Sequence, residues 1–169
     1  MAITRLGPNQ LLNLANNVTG TLPTGNGGTG ATSFAAGKVL QVVSANLTSE
    51  NSTTSTSFVA TSLAATITPS ATSSKVLITL GGPIYNNTAD KYYYGAIYRA
   101  SSNVSNGPMC IARNNGSSIG TNLSASYLDS PSTTSATTYT YYHKVDSGAS
   151  GYVAINDWGS TITLLEIGA

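Results

Sequence analysis

Apolar and polar residues alternate with a period of two through much of the chain, and glycine, proline, serine or asparagine interrupts the alternation every few residues. From Lys38 onward this pattern predicts a succession of short strands. Val39, Gln41 and Val43 alternate with Lys38, Leu40 and Val42, and a Ser/Thr/Asn-rich loop over residues 47–57 follows. Residues 58–60 and 63–68 come next, stopped by Pro69; in residues 75–80 Val76, Ile78 and Leu80 share one side, and Gly81-Gly82-Pro83 closes the run. Residues 92–99, 109–113, 123–128, 138–145, 151–155 and 161–167 complete about ten strands bounded by turn signals, with no convincing helical period. That is the pattern of an all-β sandwich or barrel, and the lack of a repeated unit argues against a propeller or solenoid.

The first 37 residues read differently. They hold five glycines and two prolines before Gly30, a single charge at Arg5, and no sustained period. Glycine at this density cannot hold a helix and weakens a strand through the backbone entropy lost on ordering. Residues 1–37 are therefore expected to form an extended arm hinged at 20–30, with Ile3, Leu6, Leu11, Leu12, Leu14 and Val18 as its candidate anchoring side chains. The domain proper is expected over residues 38–169.

Two strands ask for more cover than one sheet supplies. Tyr139, Tyr141, His143 and Val145 share a face, while Leu165 and Ile167 lie opposite Ile162 and Leu164. A strand apolar on both faces must be covered on both, and in a chain this small a second subunit is the expected cover. Tyr139, Tyr141, His143, Leu165 and Ile167 are thus the candidate residues of a trimer interface.

Composition narrows the class. Charged residues are 8% of the 169, against roughly 25% in ordinary soluble domains. Seven basic and six acidic residues leave a net charge of +1, without the basic footprint of a nucleic-acid binder. With 40% hydrophobic residues the chain has enough for a core. Cys110 is the single cysteine, no export signal is recognisable at the N-terminus, and no window approaches the roughly 18 apolar residues of a spanning helix. No membrane insertion is expected. A surface that looks extracellular, without disulfides or an export signal, suits a virus particle assembled in the host cytoplasm and released by lysis.

Several segments resemble bacteriophage virion proteins. The opening Met1-Ala-Ile-Thr-Arg-Leu-Gly-Pro-Asn-Gln10, with Asn13-Leu-Ala-Asn-Asn-Val-Thr-Gly20, resembles the start of many of them. Leu22-Pro-Thr-Gly-Asn-Gly-Gly-Thr-Gly-Ala-Thr32 is similar to a glycine-rich linker of tail-fibre proteins. Residues 58–77, containing Ile67-Thr-Pro-Ser-Ala-Thr-Ser-Ser-Lys75, and the closing Thr161-Ile-Thr-Leu-Leu-Glu-Ile-Gly168 look like parts of fibre knobs. The resemblance implies a phage structural protein of the short tail-fibre, head-fibre or capsid-decoration type. Its knob would be a jelly roll similar to trimeric domains of the tumour-necrosis-factor type. The departure from the fibre pattern is length: a long tail fibre has a repetitive shaft, and none is present in this sequence.

The chemical motifs fail in context. Gly25-x-Gly27-x-x-Gly30, with Glu50 some 20 residues on, matches a dinucleotide fingerprint but lacks the flanking strand and helix. Gly116-Ser-Ser-Ile-Gly120 matches a nucleophile elbow, yet a strand rather than a helix follows it. His143 is the sole histidine, and Asp146, three residues on, would point to the opposite strand face. Glu50, Asp90, Asp129, Asp146, Asp157 and Glu166 show no local pairing for glycoside cleavage. No catalytic, cofactor or metal residue is predicted. Aromatics are the better candidates for contact: Tyr92, Tyr93, Tyr94 and Trp158 offer stiff area with a polar tip, suited to a host glycan or protein. The expected function is a trimeric virion fibre or spike; a capsid-decoration protein is the alternative, and a glycan-degrading enzyme the outsider.

Overall fold

Eleven antiparallel strands follow from the alternation in a computed structural model that describes residues 38–155 and 158–168. They are β1 (Val39–Leu47), β2 (Asn51–Thr53), β3 (Val59–Ile67), β4 (Lys75–Asn86), β5 (Tyr92–Arg99), β6 (Ser102–Asn103), β7 (Cys110–Arg113), β8 (Ile119–Asp129), β9 (Thr137–Val145), β10 (Gly151–Val153) and β11 (Ser160–Ile167). No helix occurs among the described residues. The expected arm, its hinge and its anchoring residues Ile3, Leu6, Leu11, Leu12, Leu14 and Val18 lie outside them, as does Asp157.

One sheet runs β1-β11-β4-β8, with β10 and then β2 continuing beside the second half of β4. The other runs β3-β9-β5, and β7 and β6 share the far edge of β5. β11 inserted between β1 and β4, and β9 inserted between β3 and β5, give the strand order of a jelly roll. The fold is an all-β sandwich of two antiparallel sheets.

The inner faces interdigitate Leu63, Ile67, Val76, Ile78, Ile84, Ile97, Leu123, Ile162 and Leu164 with the rings of Tyr93, Tyr139 and Tyr141, all essentially inaccessible to water. Each such side chain contributes about 1.5–3 kcal/mol by leaving water. The tyrosines fit because glycines face them. A Cβ on Gly95 would run into the ring and hydroxyl of Tyr141, and one on Gly151 would strike the ring of Tyr93. Glycine inside a strand marks this kind of close approach.

Three differences from the sequence expectation have physical causes. Gly81-Gly82-Pro83 does not end β4, which runs on to Asn86 with β8 paired along its whole length. The glycines mark the point where the opposite edge changes partner from β11 to β10. There Gly82, at φ 140°, lets the chain pass against Ser160, and the Pro83 carbonyl accepts from Ala154 N at 3.2 Å. The expected strands 58–60 and 63–68 merge into one strand, β3, over residues 59–67, whose register shifts between Ala60 and Ala64. Within the expected 47–57 loop, β2 pairs with β10.

Tyr139, Tyr141 and His143 do not form a subunit interface. They share one face of β9 as expected, but the opposite sheet of the same chain covers it, and the three are at most 2% exposed. Leu165 and Ile167 lie on the outer face of β11, half-buried. Gly95→Ala is expected to destabilise the domain by about 1–3 kcal/mol through overpacking. Thermal unfolding should show this, and Tyr141→Phe, which removes the hydroxyl facing the new methyl, should restore part of the loss.

Candidate recognition surfaces

Strand parity sends alternate side chains outward, and the two outer faces of the sandwich differ in chemistry. On the β3-β9-β5 sheet the outward residues of β5 are Tyr92, Tyr94, Ala96 and Tyr98, and β9 adds Tyr142 and Lys144. Tyr98 and Tyr142 stack with centroids 3.9 Å apart, Tyr92 and Tyr94 at 5.9 Å, and Phe58 lies 6.0 Å from Tyr98. The Lys144 ammonium sits 4.9 Å from the Tyr94 ring and 5.1 Å from Phe58, and Arg113 lies over Tyr92 at 5.7 Å. These cation–π contacts and ring pairs fix a stiff aromatic face. They also occupy much of the ring area that a ligand would use.

The outer face of the other sheet carries almost no charge. The register lines up Val42, Leu165, Leu77 and Leu128 in one row across four strands. Val42 is 58% and Leu128 48% exposed, and Leu40 and Ile167 extend the patch at the same end. The next outward row is Ser44, Thr163, Thr79 and Ser126, in which Ser44 and Thr163 hydroxyls lie 3.0 Å apart. Further along β4, the rings of the cross-strand pair Tyr85 and Tyr152 lie 5.8 Å apart, tilted by 56°. They line a groove of about 650 Å³ with Glu50, Pro83, Ile84, Gly120, Thr121, Asn122, Ile155 and Trp158. Trp158 is 73% exposed.

Of the four aromatic candidates, Tyr92 and Tyr94 lie on the stacked face and Trp158 in the groove. Tyr93 does not face outward: it is fully buried, because parity turns it into the core between its two outward neighbours. Sequence reasoning did not single out Phe58, Tyr85, Tyr98, Tyr142, Tyr152 or Lys144. Tyr98, Tyr142 and Lys144 share strand parity with outward positions, but their grouping depends on cross-strand register.

Two of the buried polar clusters that anchor the sandwich centre on His143 and Glu166. Tyr141 donates to the Tyr93 hydroxyl, which also hydrogen-bonds Nδ1 of His143, both contacts 3.2 Å long. Burial lowers the His143 pKa to about 4, so the ring is neutral at pH 7. At the end of β11, Glu166 is fully buried on the inner face. It accepts from Ser70 N at 2.7 Å, Ser70 Oγ at 2.6 Å and Gln41 Nε2 at 2.6 Å. Burial pushes its pKa up, but these hydrogen bonds outweigh it and hold the value at about 2. The carboxylate thereby ties β1, β11 and the β3–β4 loop together.

The groups weighed for catalysis stand apart in character. Ser117 and Ser118 lie exposed in the β7–β8 turn, whereas His143 is in the core. Burial raises the Cys110 thiol to about 11, so it stays protonated at neutral pH. Among the described residues no group of three or more His, Cys, Asp or Glu side chains could hold a metal ion. Among them, no helix is long and apolar enough to cross a membrane.

No protein-family model matches the chain, and no curated protein matches it. Among solved structures the chain is similar to a mutant VP2 protein of infectious bursal disease virus in derived T=1 particles, at 13% identity and a TM-score of 0.35. The match covers 78% of this chain and 37% of that one, so the chain spans well under half of that protein's length.

The buried pair of titrating groups predicts an acid-sensitive fold. His143 binds its proton near pH 6.5 when unfolded and near 4 when folded, so stability falls as pH drops from 6.5 towards 4, by up to about 3 kcal/mol. The Glu166 contribution is complete above 4.5 and is lost as pH falls towards about 2. In thermal melts across pH 7 to 2, His143→Gln should flatten the first part of the decline and leave the second.

Proposed function

We propose that the chain is a virion structural protein, a homotrimeric fibre or spike knob displayed on a particle and anchored by residues 1–37. The observation that carries this reading is the weakly charged outer face of the β1-β11-β4-β8 sheet, on which Lys75 at the start of β4 is the one charged strand residue. Its aliphatic row Val42-Leu165-Leu77-Leu128 leaves apolar side chains in water on an isolated chain, and a second subunit offers natural cover. The neutral composition and the resemblance of the arm, linker and closing strand to phage virion proteins support the same reading, and the trimer comes from the knob type which that resemblance implies. Leu165 and Ile167 are the interface residues retained from the sequence. The stacked tyrosine face and the groove would then be left to meet the host surface, as glycan or protein. The role is structural rather than catalytic, and the partners are other copies of the chain, further virion proteins and the host surface, with no nucleic acid and no cofactor.

Antibody-gold labelling of intact particles of the phage encoding the chain, with serum against residues 38–169, tests the proposal. Label on the particle surface is expected. Tail label supports the fibre or spike, label spread over the head indicates a head fibre or capsid decoration, and particles free of the protein would overturn a virion role.

A further inference from the structure

We infer that the groove between Tyr85, Tyr152 and Trp158 binds an uncharged hexopyranose. The inference deepens the reading of the chain as a host-contacting virion protein and rests on it for the source of the sugar, but the site is argued from its own geometry.

Its volume of about 650 Å³ lies within the roughly 300–1,000 Å³ usual for small-ligand sites. The aromatic walls differ from those of the stacked face on the other sheet. Tyr85 and Tyr152 meet at 56° rather than lying parallel, so they form a corner. On the other side of Tyr85, β8 places Gly120 in register. A Cβ there would sit 3.7 Å from the Tyr85 ring, so any longer side chain would cover what glycine leaves bare. Trp158 stands at the rim with most of its indole in water. Rings with open π-faces attract the weakly positive C–H face of a pyranose, just as they attract an aromatic edge.

The polar groups suit hydroxyls. Glu50 supplies a carboxylate acceptor and Asn122, outward on β8 like Gly120, an amide with both donors and an acceptor. The Tyr152 hydroxyl is contacted by Asn87 Nδ2 at 3.4 Å, which holds the ring tip in place. Among the described residues no lysine, arginine or histidine lines the groove, and the one charged residue that does is an acid. That selects against sialic acids, uronic acids and phosphates and leaves a neutral sugar. A flat protein epitope would need a broad apolar surface, whereas this site is concave and mixed in polarity.

The site is compatible with a trimer. Along β4 the groove residue Tyr85 lies eight positions from Leu77 in the aliphatic row, about 26 Å at the strand rise. Subunits meeting at that row leave the other end of the sheet open.

The chain contains a single tryptophan, so its fluorescence reports on this groove alone. The full-length protein is titrated with methyl pyranosides of glucose, galactose, mannose and N-acetylglucosamine, and separately with N-acetylneuraminic acid. A saturable change in Trp158 emission with at least one neutral sugar, and none with the acid, is the expected result. Gly120→Leu, which fills the groove but keeps the indole, should weaken that response about tenfold or more. Tyr152→Ala should do the same, so the test survives if one variant fails to fold. No saturable response to any of the four sugars, a stronger response to the sialic acid, or wild-type affinity in a folded Gly120→Leu protein would each overturn the inference. Particle labelling that succeeds while these titrations fail would remove the sugar site and leave the virion role standing.

Discussion

Strand parity ties the two faces of each sheet together, and in this protein three core tyrosines set the parity. Turning Tyr93, Tyr139 or Tyr141 outward would leave a ring-sized cavity in the core, and Gly95 and Gly151 leave room for Tyr141 and Tyr93 within it. A slip of one residue in β5 or β9 would exchange every inward and outward side chain. With the register held, Tyr92, Tyr94, Tyr98, Tyr142 and Lys144 have no choice but the outer face, where they stack. The same rule on the opposite sheet aligns four aliphatic residues in one row and leaves the Tyr85–Tyr152 corner at the far end. The surfaces proposed to meet partners are thus by-products of how the core is filled.

Much of this architecture was legible in the chain. The β5 boundaries, Tyr92–Arg99, agree with the sequence pattern, and β7, β9 and β11 agree to within a residue at each end, because their alternation is strong and clear turn signals flank them. What escaped was set by neighbours. Gly81-Gly82-Pro83 looks like a stop because glycine and proline normally end strands; here they sit where β4 trades β11 for β10, and β8 carries the strand across. The three residues of β2 are too short and polar to stand out before β10 pairs with them. Glu166 follows the inward parity of Ile162 and Leu164, but a carboxylate in the core is expected only when Ser70 and Gln41 are known to reach it.

The candidate surfaces were less legible for the same reason. Alternation shows that Tyr139, Tyr141 and His143 share a face; it does not say whether a second sheet or a second subunit covers it. The second sheet does. Tyr93 likewise belongs to the core, while Tyr92 and Tyr94 acquire their surroundings from Lys144 and Arg113 on other strands. The groove joins residues from four parts of the chain, and its key opening is the missing side chain of Gly120. Such a site is written in register rather than in any local motif.

The trimer depends on whether the weakly charged outer face of the β1-β11-β4-β8 sheet is a subunit interface. Sedimentation velocity of the full-length chain at micromolar concentration, with and without Leu165→Glu, measures this directly. The account predicts a species three times the 17.2 kDa chain mass for the wild type and a folded single chain for the variant. A wild-type protein that sediments as one 17.2 kDa chain would contradict it.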